Sequence, residues 1–491
     1  MDSAGRWVRR PVVALVLGVV ALVAVVRLPS FVHQLYDPDE AAIAAQAIAI
    51  RDGGTLYVDA VDRKPPLPPF IYATSFRLSG GTDLRPVHVL AALALVGAAL
   101  VLALDARRRH GAAAGWWAAA LAVAGAVAFF PVDGQAANYA HFALLPGAAA
   151  VVLARRGRTV TALAAGVALG LAVLCRQTWV IGIVPGALAV ALARRQSPRR
   201  WLDVVAFVAG VAAVIASVGL VVPFGDFWRW TFTSNGGFVT AGVGVGPTAA
   251  RFAATVATFV AFHLALVALV VVGGRRRLAD RAAWRADLDL WLWLATGLVT
   301  VVAGFRFYGH YWLQVLPPAV LLAAPVVAGL HRHRQGWALG ALALPTAVAV
   351  AFAWTPGTFR TLPDPQPLAR YVRAHTAPGQ PVWIWGSFPE VLWAADRPPG
   401  GALVHSDFVT GLSGGRTAGP ATRADATPGA LAHLLRQLQA HPPALVIDTS
   451  TADLRHYGAY PLSAFPALDS YVRSRYREVA RIGGVRVLAP R

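Results

Sequence analysis

The sequence predicts a polytopic α-helical membrane protein of about eleven spans, with juxtamembrane helices in its first outer loop and a small α/β region at its C-terminus. Three observations carry that prediction. Hydrophobic residues make up 57% of the 491 and charged ones only 14%, and the apolar residues fall in uninterrupted blocks too long for a soluble core. The arginines stand in short clusters between those blocks. Beyond Trp354 the composition turns to Pro, Asp, Gln and Thr.

The spans fall near 11–28, 86–104, 112–131, 139–154, 160–175, 179–193, 201–222, 252–272, 289–304, 312–330 and 336–354. Each is roughly 16–22 residues long, which suits a hydrocarbon slab of ~30 Å. Arg6/Arg9/Arg10, Arg107–Arg109, Arg155/Arg156/Arg158, Arg194/Arg195/Arg199/Arg200, Arg275–Arg277 with Arg281 and Arg285, and Arg332/Arg334 all fall on one side. By the positive-inside rule that side is the cytoplasm. The other side receives the loop 29–85, the turns at 132–138 and 175–177, the loop 223–251, the turn Arg306–His310 and everything after Trp354.

The expected molecule is thus a multi-pass protein of the cell (cytoplasmic) membrane, N-terminus inside. A membrane domain covers 1–354 and an extracytoplasmic α/β domain covers 355–491. In the latter, helix-like and strand-like runs alternate at Leu368–His375, Val382–Gly386, Ala430–Leu438, Ala444–Ile447, Phe465–Tyr476 and Val485–Leu488. Gly386 follows an apolar strand, but no G-x-G-x-x-G follows it, which excludes a dinucleotide fingerprint.

A formal charge of +20 would suit nucleic acid if it lined one face. Clustered between apolar blocks, it orients spans instead, so nucleic acid is not an expected partner. Arg9-Arg10 and the apolar stretch after them have the form of a signal peptide, yet no small-x-small cleavage site follows, so the stretch reads as the first span. Cys175 is the only cysteine, which excludes an internal disulfide and a cysteine-based zinc site.

The first outer loop carries the chemistry. It holds Tyr36-Asp37-Pro38-Asp39-Glu40 and, about two dozen positions on, Arg63-Lys64-Pro65-Pro66-Leu67. Lys64 is the only lysine of the chain, and Glu40 the only glutamate before Glu390. Where nearly every lysine has become arginine, the surviving one points to a need for a compact ammonium. Asp37, Pro38 and Glu40 also fit a capping box opening a helix over Ala41–Ile50 that stops at Gly53-Gly54, so Glu40 reads equally as cap and as site acid. Asp39 is not used by that box, and its carboxylate is left for other work at a helix N-terminus that favours the ionised form. The helix is apolar almost all round and too short to span, which places it in the interface or against the span tops. Arg63 through Pro69 reads as a stiff extended segment ahead of an amphipathic run from Phe70 to Leu78. Lys64 itself has two readings, an anchor snorkelling to lipid phosphate or a contact to the phosphate of a lipid substrate.

These residues resemble the GT-C type membrane glycosyltransferases, within them the family of protein O-mannosyltransferases and lipid A aminoarabinose transferases. The resemblance rests on the Asp39-Glu40 pair after the first span, on Lys64-Pro65-Pro66-Leu67, and on the aromatic-His-Tyr segment Phe307-Tyr308-Gly309-His310-Tyr311 running on to Leu316-Pro317-Pro318. It implies a GT-C fold and inverting transfer of a sugar from a polyprenyl-phosphate donor, with Asp39 matching the catalytic aspartate and Lys64 the lipid-phosphate contact. Two departures stand against a full match. Arg63 occupies the place before the lysine where many relatives have an acid, sometimes in a metal site, and Ile43 and Ala44 stand where an aromatic residue is common. No metal site or cofactor is therefore carried over.

The chemistry open to these residues is general-base removal of an acceptor hydroxyl proton by Asp39, with Glu40 beside it, worth about 10²–10⁴ in rate. Fixed cations would stabilise the departing phosphate. Lys64 comes first, then Arg63, Arg176, Arg306 and His310, each of which reads also as a span-end or interface-belt residue. Asp133, Tyr311 and the segment Asn138–His141 are candidate acceptor or sugar contacts, or a plain polar turn. The expected partners are the lipid-linked donor, membrane lipid, and a glycan, lipid or protein acceptor. A lipid or glycan transporter, or an inactive assembly subunit of the same architecture, is the alternative. Transporters tend to place ionisable groups near the midplane, whereas here they gather at the membrane surface, with His263 an exception.

Overall fold

The computed structural model describes residues 3–234, 244–359, 362–412 and 417–491, the side chains of 3–10 excepted. The expectations placed on Arg6, Arg9 and Arg10, and on 235–243 within the 223–251 loop, lie outside the described residues. Among the described residues, five helices are long and apolar enough to cross a membrane: Arg85–His110, Arg200–Leu220, Val245–Leu278, Gly309–Ala328 and Arg332–Ala353. Shorter apolar helices cover Pro11–Val26, Ala112–Val127, Tyr139–Ala154, Thr159–Cys175, Gln177–Ala193 and Leu288–Val302. Each predicted span has its helix.

Large apolar side chains stand exposed along the outer helices, among them Leu17, Val25, Val205 and Leu344. In a protein surrounded by lipid such a surface needs no covering. Between helices, small residues set the distance. A Cβ at Gly166 would lie 1.9 Å from the Phe207 carbonyl oxygen, and one at Gly210 2.6 Å from the Leu163 oxygen. The helices 159–175 and 200–217 therefore meet backbone to backbone, which apolar solvent rewards through contact and not through hydrophobic exclusion.

The loop after the first span folds into two helices, Pro38–Arg51 and Leu67–Ser79. The first is buried at every position from Glu40 to Ile50, so it lies inside protein and not in the lipid interface, as its all-round apolar character demands. Its Ala42 and Ala45 share a core with Leu368, Val391 and Ile447 of the C-terminal region. The stiff segment is shorter than the sequence suggests: Leu67, Pro68 and Pro69 already belong to the second helix, where a first turn tolerates proline because its N–H groups have no partner anyway.

The C-terminal region holds a four-stranded sheet in the order β1-β2-β4-β3. Strands β1 (Val382–Trp385) and β2 (Leu445–Asp448) are parallel, and β3 (Tyr476–Ile482) and β4 (Val485–Pro490) form an antiparallel hairpin turned by Gly483 and Gly484 at positive φ. Gly386 after β1 sits where a Cβ would meet Thr449 Oγ1 at 1.8 Å, so its glycine serves packing. This sheet is tied to the first loop. Val61 N–H donates to the Ala402 carbonyl at 2.8 Å, Val404 N–H to the Val61 carbonyl at 3.2 Å, and Arg51 pairs with Asp396 at 2.8 Å.

Candidate active site

The Asp37-Pro38-Asp39-Glu40 segment forms a complete capping box. The Asp37 carboxylate accepts the Asp39 N–H at 3.0 Å, while Glu40 accepts the N–H groups of Tyr36 at 2.7 Å, Asp37 at 3.0 Å and Ala137 at 2.6 Å. Glu40, expected beside Asp39 as a catalytic acid, is fully buried with both carboxylate oxygens taken by backbone donors. Burial pushes its carboxyl up to about 7 against the pull of those donors. Asn138 donates to Asp37 at 2.9 Å, and its own oxygen faces His141 Nδ1 at 3.0 Å.

Asp39 points the other way and meets Lys64. Lys64 Nζ donates to Asp39 Oδ2 at 3.0 Å, the two side chains being 31% and 29% exposed. The ammonium also lies 4.8 Å above the Tyr139 ring. The backbone that carries it is pinned, with Tyr57 Oη donating to the Lys64 carbonyl at 2.8 Å and Gln177 Nε2 to the Arg63 carbonyl at 3.1 Å. Burial pushes the Asp39 carboxyl up, but the charges of Lys64 and then His310 outweigh it and hold the group below its ordinary value. Asp37 moves oppositely: burial, then the neighbouring Asp39 charge, push it up to about 7. Of the three carboxyls of the segment, Asp39 alone is held below its ordinary value.

The turn of the late helices that carries His310 and Tyr311 comes close enough for their charges to act on this pair. His310 bonds Asp133 Oδ1 through its backbone N–H at 2.9 Å and its Nδ1 at 2.8 Å. Gly309 makes that possible, since a Cβ there would stand 2.5 Å from Asp133 Oδ2. The Arg176 guanidinium stacks 4.0 Å over the Tyr311 ring and donates to the His310 carbonyl at 3.2 Å. The Asp39 charge acts on Arg176, and Tyr311 acts on Lys64, so Asp39, Lys64, Arg176, His310, Tyr311 and Asp133 form one electrostatic neighbourhood.

Two expected cations are buried, and the charge of one of them, Arg306, acts on Tyr308 as those of Asp39 and Lys64 do. The Arg63 guanidinium is buried, 3.9 Å over the Phe408 ring and 3.5 Å from Thr427 Oγ1. Arg306 is buried, its carbonyl accepting from Arg251 at 2.9 Å. One acid was missed. Asp62, buried two positions before the lysine, lies 3.4 Å from Tyr139 Oη and 3.8 Å from His405 Nε2 of the C-terminal region. It stands one position earlier than the place directly before Lys64, which Arg63 occupies. Among the described residues no group of three His, Cys, Asp or Glu side chains stands ready to hold a metal ion.

A family model described as dolichyl-phosphate-mannose-protein mannosyltransferase matches residues 63–222, a stretch that includes Lys64. No curated protein matches the chain. Among solved structures it is similar to ArnT from Cupriavidus metallidurans in the apo state, at 14% identity and a TM-score of 0.57 over 99% of this chain and 98% of that one. The same protein bound to undecaprenyl phosphate aligns at 16% identity and a TM-score of 0.56, with the same coverage of 99% and 98%. The archaeal oligosaccharyltransferase AglB from Archaeoglobus fulgidus, in complex with an inhibitory peptide and a dolichol-phosphate, aligns at 13% and 0.56 over 96% of this chain and 74% of that one. The chain is therefore a multi-pass membrane protein of the GT-C fold, with the mannosyltransferase family pattern over residues 63–222.

Proposed function

We propose that the protein is a glycosyltransferase that moves a sugar from a polyprenyl-phosphate donor to an acceptor hydroxyl, with inversion, at the outer face of the cytoplasmic membrane. The single observation that carries this reading is the 3.0 Å contact of Asp39 and Lys64, the one lysine of the chain, on the first outer loop. In the resting protein the two charges satisfy each other. A donor phosphate arriving at Lys64 takes over the ammonium and releases the Asp39 carboxylate to accept a proton. The acceptor oxygen then forms its bond to the anomeric carbon as the bond from that carbon to the phosphate oxygen breaks, the electron pair leaving with the phosphate and the hydroxyl proton passing to Asp39. Lys64 and Arg176 stand where charge grows on the leaving group.

The fold supports a lipid-phosphate donor because structurally similar proteins were solved with undecaprenyl phosphate and dolichol-phosphate. Asp133, held by His310, and Tyr311, under Arg176, are the candidate groups for a sugar or acceptor hydroxyl. Glu40, Arg63 and Arg306 take supporting roles in this reading. The region 355–491 lies outside the membrane with the first loop. The test is transfer from a radiolabelled polyprenyl-phosphate sugar by the purified protein: Asp39→Asn should lower turnover about 10²–10⁴-fold while donor binding persists. Near-normal turnover would remove the base assignment.

A further inference from the structure

Asp62, whose charge acts on Lys64, is held by a histidine from the C-terminal region. Asp62 Oδ1 lies 3.8 Å from His405 Nε2, while its other oxygen lies 3.4 Å from Tyr139 Oη, whose ring carries the Lys64 ammonium 4.8 Å above it. The histidine is fixed in turn. Its Nδ1 is 3.5 Å from Ser387 Oγ, at the end of β1, and Arg455 donates to that same hydroxyl at 3.2 Å and to Glu390 at 2.8 Å. The backbone on either side is clamped by the two hydrogen bonds that join Val61 to Ala402 and Val404. A buried carboxylate beside the phosphate-binding cation would oppose an anionic donor unless its own charge were balanced.

We infer that His405 is a positioning residue that balances Asp62 from the C-terminal region and so leaves the Lys64 ammonium available to the donor phosphate. This rests on the proposed lipid-phosphate donor. The groups facing the imidazole are Asp62 from the first loop, Asp407 on its own segment, Arg455 from the loop after β2, and Ser387 after β1. Burial lowers the His405 pKa, and Asp62 and Asp407 more than reverse it, so the ring keeps its proton to higher pH than an ordinary imidazole and loses it as pH rises. Once it is neutral, Asp62 keeps the Arg63 N–H at 2.6 Å but loses its imidazolium, so more of its charge falls on Lys64 and phosphate binding weakens.

The test uses the full-length protein in detergent, with radiolabelled undecaprenyl phosphate as probe, titrated between about pH 7 and 10, above the second phosphate ionisation near 6. The natural protein should lose affinity on the order of tenfold across that range, the size of one charge-assisted hydrogen bond. His405→Gln, which keeps a polar contact but cannot titrate, should give a flat profile. Asp62→Asn should be flat as well, and carries the test if the histidine variant does not fold. Lys64→Ala should bind poorly at every pH. If Lys64→Ala binds poorly while both other variants keep the alkaline fall, the positioning role is overturned and the donor reading stands. If Lys64→Ala binds as the natural protein does, the donor reading itself fails.

Discussion

At the scale of the residue, three acids within four positions serve different ends because of what surrounds them. Asp39 is held ionised by Lys64, whereas Asp37 and Glu40 are raised by burial. The pH profile of kcat/KM reports the free enzyme, and a base whose pKa lies below the ordinary carboxylate value loses activity only as pH falls through that lowered value. Transfer should therefore hold a plateau from pH 7 down to about 5, where a carboxylate of ordinary pKa ~3.9 is still ionised. An acid limb near pH 7 would point to Asp37 instead. Glu40→Gln should leave a backbone N–H facing an amide N–H, costing about 1–3 kcal/mol in thermal unfolding measured in detergent. The sequence made Asp39 and Lys64 conspicuous, one by its place outside the capping box and the other by being unique. It could not show that they touch, nor that Asp62 meets His405, because spacing encodes local geometry and these contacts are made by tertiary folding.

At the scale of the element, the spans were legible because an apolar run of membrane length has few other destinations. The hairpin was not. Strand β3 shows its exposed Arg477, Glu478 and Arg481 along an outer edge, without the alternation that marks a half-buried strand, and only Gly483-Gly484 announced the turn. Helix contacts, by contrast, rest on single glycines. Gly166→Ala should force apart the helices 159–175 and 200–217, since its methyl would fall on the Phe207 carbonyl. A loss of about 1–3 kcal/mol is expected, read as a lowered unfolding temperature in detergent. An unchanged temperature would mean that the two backbones are not in contact.

At the scale of the whole molecule, the C-terminal region and the first loop are built as one unit, joined at Val61, Asp62, Arg63 and Arg51. In the topology proposed above, both lie on the side opposite the arginine clusters. Cys175 is buried, so added cysteines report alone. Gly81→Cys, next to the second loop helix, should react with a membrane-impermeant maleimide on intact cells, and Gly336→Cys, beside Arg332 and Arg334, only after the membrane is opened; the reverse pattern would invert the topology. The central claim is narrower: Asp39 is the base and Lys64 the phosphate contact of one site. It is tested most directly by measuring sugar transfer and undecaprenyl phosphate binding side by side for Asp39→Asn and Lys64→Ala. Transfer lost with binding kept in the first, and binding itself lost in the second, is the result this account predicts; equal binding in both, or turnover surviving in the first, would contradict it.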